Sequence, residues 1–350
     1  MTSLFGITWD VQWHDDVGPD TFFTLSHLML YSGSAIAGVV ALTMVLRATV
    51  AQRAGRPVDP KEGGRTVRVL AFDAPVGYLV VGTGAAMFLL YGTMDLWWHG
   101  VYGFDAILGS PPHMALFSSI TTTMVGSIIV FGYAHAERWG RIGLALSLPS
   151  LMTFSPLMFE AFEDAPLPFK GNIIMNAAVC ALCLVLAVGI VGRPVFAVVV
   201  AGALAAVHVV LWFWAPWAAH AYAELSGLPV RDGVGSEPPS LPARIPMLLL
   251  IVALLVAGVL SRVRRWAPPI AGAATGVVTA VMLDLQAPLI NDGPMVPPGI
   301  LIGDGLTGLL LGAAAGYVAW RFAAMVRGER REPNPIGRTA VGPTVLGGTA

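Results

Sequence analysis

The sequence predicts an all-α fold, a polytopic transmembrane bundle of about nine helices with its N-terminus outside and its C-terminus cytoplasmic. Three observations predict it. Hydrophobic residues make up 56% of the chain and charged residues only 12%, with a mean hydropathy of +0.73. A soluble domain carries roughly 25% charged residues. Apolar runs recur that are long enough for a hydrocarbon core of ~30 Å, which needs about 20 residues per helix. Basic residues cluster on alternate connections between those runs, as the positive-inside rule requires.

Taken in order, the runs cover residues 21–48, 70–94, 112–134, 141–161, 172–192, 195–222, 243–262, 267–287 and 298–324. Residues 1–20 form an extracytoplasmic segment, read as a short interfacial helix or loop. They have neither a basic start nor an early apolar run, so no cleavable signal peptide is expected. The fifth and sixth runs are separated at Gly192, Arg193 and Pro194, where proline ends one helix and can open the next. The stretches from Gly272 to Gly276 and from Gly308 to Gly316 predict small-residue packing faces, since no strand precedes them and no lysine follows to hold phosphate. Residues 21–325 are thus one transmembrane helical domain, and residues 326–350, rich in Gly, Pro, Thr and Arg, predict a flexible cytoplasmic tail. No alternating ten-residue segments suggest a barrel.

Of the 20 basic residues, only Lys170, Arg231 and Arg244 fall on the outward side of this arrangement. Arg53, Lys61, Arg138, Arg193, Arg262, Arg264, Arg265 and the arginines of the tail all fall inward. The histidines sort the opposite way: His14, His27, His99, His113, His208 and His220 lie in outward loops or the helices that reach them, and His135 is the exception. Any metal chemistry therefore belongs to the extracytoplasmic half. Net charge is near zero and no basic patch exists, which excludes nucleic acid as a partner.

The chemistry is carried by a repeated pattern, Asp-x2-Trp-His-x3-Gly-x-Asp. It occurs as Asp10, Trp13, His14, Gly18 and Asp20, and again as Asp95, Trp98, His99, Gly103 and Asp105. Each copy is followed by a second histidine, His27 and His113. Residues four apart on a helix share a face, so each Asp and His project together and the later histidine completes a three-residue set. A His2Asp site suits copper, zinc or iron and leaves coordination positions open. Asp10, His14 and His27, with Asp95, His99 and His113, are therefore the candidate metal ligands. A single such copy would read as solvated interfacial charge, whereas two at matching offsets favour metal.

Other residues have plainer readings. Asp20 and Asp105 cap a helix or turn in preference to orienting a ligand histidine. Trp13, Trp97 and Trp98 fit an interfacial aromatic belt. Glu160, Glu163 and Asp164 end the fourth helix, and His220 with Glu224 ends the sixth; Glu160 and His220 are candidates for additional ligands. His208 reads as a hydrogen-bonded histidine within the bundle. Cys180 and Cys183 form a C-x2-C within the fifth helix and read as small packing residues rather than a Cu(I) site.

The spacing Asp-x3-His-x12-His of Asp10, His14 and His27 resembles a copper-ligand motif in the C subunit of the copper membrane monooxygenases, the particulate methane and ammonia monooxygenases. That subunit also carries an Asn-x3-His-x13-His, and Asp95, His99 and His113 repeat its spacing with Asp in place of Asn. The resemblance covers about 20 residues at each motif. It implies copper within the membrane region, oxidation of a small apolar substrate by oxygen, and an electron donor or partner subunit. The expectation is a multi-pass cell-membrane metalloprotein in contact with lipid, a copper-dependent monooxygenase-like oxidoreductase or a subunit of one, with oligomers compatible. Two other classes compete with it: a copper or zinc transporter or delivery protein, and a b-type haem protein using facing histidines.

Overall fold

At the N-terminus the opening residues, expected as a short interfacial helix or loop, are helical and packed into the bundle. In the computed structural model, which describes residues 1–18, 21–102, 108–163, 167–234, 237–262 and 266–328, they form helix α1 (Thr2–Asp16). Leu4, Ile7, Trp9, Asp10, Val11 and Trp13 on it are buried, because it is walled by α2 (Leu25–Arg53) and α7 (Phe196–Ser226). Trp13 is 2% exposed and packs on Tyr222 of α7 at 4.9 Å between ring centroids. It anchors the core and does not belong to an interfacial belt, whereas Trp97 is 57% exposed. Glycine permits the close approach: a Cβ on Gly6 would lie 2.5 Å from the Leu30 backbone nitrogen.

The other helices are α3 (Val76–Tyr102), α4 (Pro111–Tyr133), α5 (Arg138–Met158), α6 (Gly171–Val191), α8 (Leu249–Arg262), α9 (Ala267–Ile290) and α10 (Pro298–Val326). Together they make an all-α bundle. Among the described residues, eight segments are long and apolar enough to cross a bilayer, with α8 reaching that length through a 3-10 turn at Pro242–Arg244. The protein is therefore a multi-pass membrane protein. The ninth expected span corresponds to α5, which has the length but carries Ser147, Pro149, Ser150, Thr153, Ser155 and Pro156. It packs against α4, α6 and α7, and most of its residues from Leu148 onward are buried. A helix shielded from lipid by its neighbours needs less apolarity than one facing hydrocarbon.

A second departure is at the expected 70–94 span, whose helix starts only at Val76. Thr66–Val69 (β1) and Phe72–Pro75 (β2) pair instead as an antiparallel hairpin. Val67, Val69 and Phe72 favour strand, and Arg68 faces Asp73 across the ladder as an opposite-charge pair. Leu70, at the turn, has φ 53°. The Thr49 hydroxyl accepts a bond from the Asp73 backbone N–H at 3.0 Å and ties the hairpin to the end of α2. Lys61 reaches Glu137 at 2.7 Å, so the loop after α2 and the turn before α5 share one end of the bundle, opposite the triads.

The predicted small-residue faces pack as expected. A Cβ on Gly272 or Gly276 of α9 would collide with the carbonyl oxygens of Gly312 or Gly308 on α10. The two helices meet backbone to backbone. Cys180 and Cys183 are both free and buried within the main apolar core, which draws on α4 to α10. A second apolar cluster, including Leu4, Ile7, Leu30, Phe88, Phe117 and Leu157, lies beneath the triad-bearing ends of α1 to α4 and forms the floor of the site.

Candidate metal centre

Each triad is assembled by one pair of helices adjacent in sequence. Asp10 and His14 stand one turn apart on α1, and His27 comes from the first turn of α2. Asp95 and His99 stand one turn apart near the end of α3, and His113 comes from the first turn of α4. Small residues bring the second pair together as they do the first: a Cβ on Gly126 of α4 would lie 2.5 Å from the Val81 nitrogen of α3. Pro111 and Pro112 open α4 with their missing N–H groups where no helical bond is needed, so His113 is set on a rigid first turn.

In the second triad, Asp95 Oδ1 lies 3.5 Å from His99 Nε2 and 3.4 Å from His113 Nε2. It is buried and has no hydrogen-bond partner. One ligand atom from each of the three residues can be chosen so that all lie within 4.8 Å of one another. With metal–ligand distances of about 2.0–2.2 Å, tetrahedral coordination puts neighbouring ligand atoms about 3.3–3.6 Å apart. The observed separations are too long for good hydrogen bonds and fall in that window. The Ser110 hydroxyl meets His113 Nδ1 at 3.0 Å, which leaves Nε2 as the nitrogen that faces Asp95.

The first triad is more open at His14, whose ring centroid lies 6.4 Å from that of His27 against 5.5 Å between His99 and His113, and among the described residues only the second triad gathers its ligand atoms within 4.8 Å. Asp10 Oδ1 accepts the Ser26 hydroxyl at 2.7 Å and lies 3.0 Å from His27 Nε2, while its Oδ2 is 3.9 Å from His14 Nδ1. His14 Nδ1 faces the Asp10 carbonyl at 2.9 Å, and His27 Nδ1 faces the Thr21 carbonyl at 3.0 Å. Both nitrogens of His27 therefore look at oxygen acceptors. A neutral imidazole has one proton and cannot donate to both, so satisfying both contacts takes either a protonated ring or another cation in place of a ring proton. Burial pushes the Asp10 carboxyl up, but His27, His14 and the Ser26 hydroxyl together outweigh it and hold it below its ordinary range.

Both triads line one cavity of about 320 Å³. Its remaining wall is largely apolar, with Leu30, Phe88, Leu116, Phe117, Ile120 and Leu157 among the lining residues. The rim comes from the segment between α7 and α8: the Arg231 backbone N–H donates to the Asp16 carbonyl at 2.8 Å, and the Ser240 N–H to Gln12 Oε1 at 3.1 Å. The Ser240 hydroxyl donates to Asp15. Ser26, Ser110 and the Thr21 carbonyl carry no motif signature, and only their nearness to a triad histidine or aspartate in sequence hints at their part.

The two additional candidates stand apart from this cavity. Glu160 forms an ion pair with Arg244 at 2.7 Å, and burial lifts its carboxyl above the ordinary range despite that arginine. His220 Nε2 bonds Asp16 Oδ2 at 2.8 Å, on the far side of α1. Burial likewise raises the Asp16 carboxyl, against the opposing bonds from Gln12 and His220. His208 is buried against Trp212, and His135 Nδ1 bonds the Gly132 carbonyl at the opposite end. Asp20, Gly103, Asp105, Asp164, Arg264, Arg265 and the tail beyond Gly328 lie outside the described residues.

No family model matches the chain, and no curated protein or solved structure matches it significantly.

Proposed function

We propose that the protein is an integral membrane metalloprotein with two His2Asp sites on one apolar chamber, serving oxidation of a small apolar molecule. The observation that carries this reading is Asp95 Oδ1, a buried carboxylate oxygen with no hydrogen-bond partner, set 3.5 and 3.4 Å from two imidazole nitrogens. A buried anion in that position is costly unless a cation completes it. The acceptor pair facing His27 supports the same conclusion for the first triad.

Copper is the metal proposed, from the resemblance of both spacings to the copper membrane monooxygenases; zinc and iron fit the same donors. Bound there, copper would supply redox chemistry with coordination positions open to oxygen or substrate. The chain's own residues hold the ion, fix the imidazoles through Ser110 and Thr21, and exclude water with the apolar wall. On this reading the triads face the extracytoplasmic side of the cell membrane, as the distribution of basic residues along the chain supports, and electrons arrive from a donor or partner subunit.

The test is elemental analysis of the full chain in nanodiscs after copper, zinc and iron supplementation, with dialysis before counting. About two copper equivalents, falling to one in His14→Ala/His27→Ala and to one in His99→Ala/His113→Ala, support two resident sites. Folded wild type without stoichiometric metal overturns the reading. Metal that is bound but lost on dialysis points to delivery rather than a resident centre.

A further inference from the structure

Away from the triads, two aspartates are fully enclosed by the bundle. Asp284 on α9 and Asp304 on α10 are each 0% exposed. An ionised carboxylate inside a membrane protein is expensive and is retained only with a partner. Lys170, just before α6, serves both: its Nζ donates to Asp284 Oδ1 at 3.0 Å, and its backbone N–H donates to Asp304 Oδ1 at 2.9 Å. One ammonium neutralises one carboxylate, and two are present.

The second oxygen of each group, Asp284 Oδ2 and Asp304 Oδ2, is buried without a hydrogen-bond partner. Both carboxyl groups bond the same residue, Lys170, and so share one enclosed pocket. Two ionised carboxylates are acceptors only and repel within such a pocket, whereas one proton held by the pair supplies a missing donor. The same proton brings the charge of Lys170, Asp284 and Asp304 together to zero.

We infer that Asp284 and Asp304 form a binding site for one exchangeable proton, reached from the outward side through Lys170. Lys170 lines a polar cavity of about 810 Å³, which also meets Asn172, Asn176 and Gln286 and shares Ser240 and Arg244 with the rim of the triad chamber. The other charged groups on this cavity are Glu163, Glu237, Arg244 and Asp292, and Arg244 is engaged with Glu160 and Glu163. On the inward side the passage between α9 and α10 is closed by the contact of Gly276 with Gly308, one turn below Asp304. The proton clamps α9 to α10 at the outer end of that contact. Its loss sets two like charges against each other where the helices are least able to separate.

The test is infrared difference spectroscopy of the full chain in nanodiscs, titrated with pH in sodium-free buffer. Wild type is expected to show the C=O stretch of a buried carboxylic acid that exchanges with deuterium and disappears on alkaline titration. The band is lost in Asp284→Asn and in Asp304→Asn, whose amide N–H replaces the proton as donor, and shifts in frequency in Asp304→Glu. Because the folded state holds the proton, the melting temperature of wild type falls as pH rises through the midpoint of the band, and this fall is absent in both Asn variants. Should the Asn variants not fold, the frequency shift in Asp304→Glu carries the assignment. Absence of the band in wild type at every pH, or its survival unshifted in all three variants, overturns the inference. Loss of the band on adding sodium at constant pH also overturns it, by making the occupant a metal cation.

Discussion

Ser110→Ala separates a metal site from a merely polar pocket. Ser110 occupies the cap position of α4, yet its hydroxyl makes no capping bond to the backbone and is directed to His113 Nδ1 at 3.0 Å. Pro111 and Pro112 set the helix start without it, so the substitution leaves the fold intact. What it removes is the partner that holds the ring with Nε2 toward Asp95. Loss of such a partner typically weakens metal binding about 10- to 100-fold. That corresponds to about 1.4–2.8 kcal/mol. The measurement is competition for copper between the protein in nanodiscs and a chelator of known affinity. Ser118→Ala is the matched control, since its hydroxyl bonds the Met114 carbonyl of its own helix at 2.8 Å, and it should leave affinity unchanged. His113→Ala should abolish binding at this triad. If Ser110→Ala binds copper as wild type does while His113→Ala does not, the ring is positioned by something other than Ser110 and the reasoning fails. If neither variant changes affinity, the triad is not the site.

Three further predictions test other parts of the molecule. Gly276→Ala puts a Cβ into the Gly308 carbonyl and should lower stability by about 1–3 kcal/mol, as overpacking does, whereas Gly299→Ala, with open space around it, should unfold thermally like wild type. In chelator-treated protein the Asp10 carboxyl sits below its ordinary range, so its stabilisation is present at neutral pH and is lost as pH falls through its folded-state titration. Acid unfolding of wild type should therefore include a loss below about pH 4 that Asp10→Asn lacks. Leu70→Cys, at the 91% exposed hairpin turn, should react with a membrane-impermeant maleimide only from the cytoplasmic side. The natural cysteines are fully buried and give no background; labelling from outside would invert the assigned orientation.

The helical class and most span positions were legible because a run of about 20 apolar residues in a bilayer has one economical conformation. The hairpin at residues 66–75 was not, since Val67, Val69, Phe72 and Ala74 extend the apolar run that becomes α3 and hydropathy does not distinguish strand from helix over so few residues. The burial of α1 was also hidden, because its second wall is α7, whose His220 meets Asp16 across 204 positions of sequence. Within the triads, helical spacing put Asp10 with His14 and Asp95 with His99, and the repeated offsets singled out His27 and His113. That the four helices would turn both triads into one chamber depends on helix crossings set by residues such as Gly6 and Gly126, which no motif records. Glu160 and His220 were sensible candidates by side of membrane, but Arg244 and Asp16, distant in sequence, engage them.

The strap between α7 and α8 also orders assembly in time. His113 follows Asp95 by 18 positions, so the Asp95 triad can close once α3 and α4 have left the ribosome. Asp10 and His14 are synthesised first, yet α1 gains its second wall only with α7 and its rim only when Arg231 and Ser240 reach Asp16, Asp15 and Gln12. The triad encoded earliest is thus finished among the last parts of the site. A nascent chain stalled before Arg231 should hold a formed Asp95 triad beside a loosely docked α1, so the two triads, alike in their residues, are completed at different stages of synthesis.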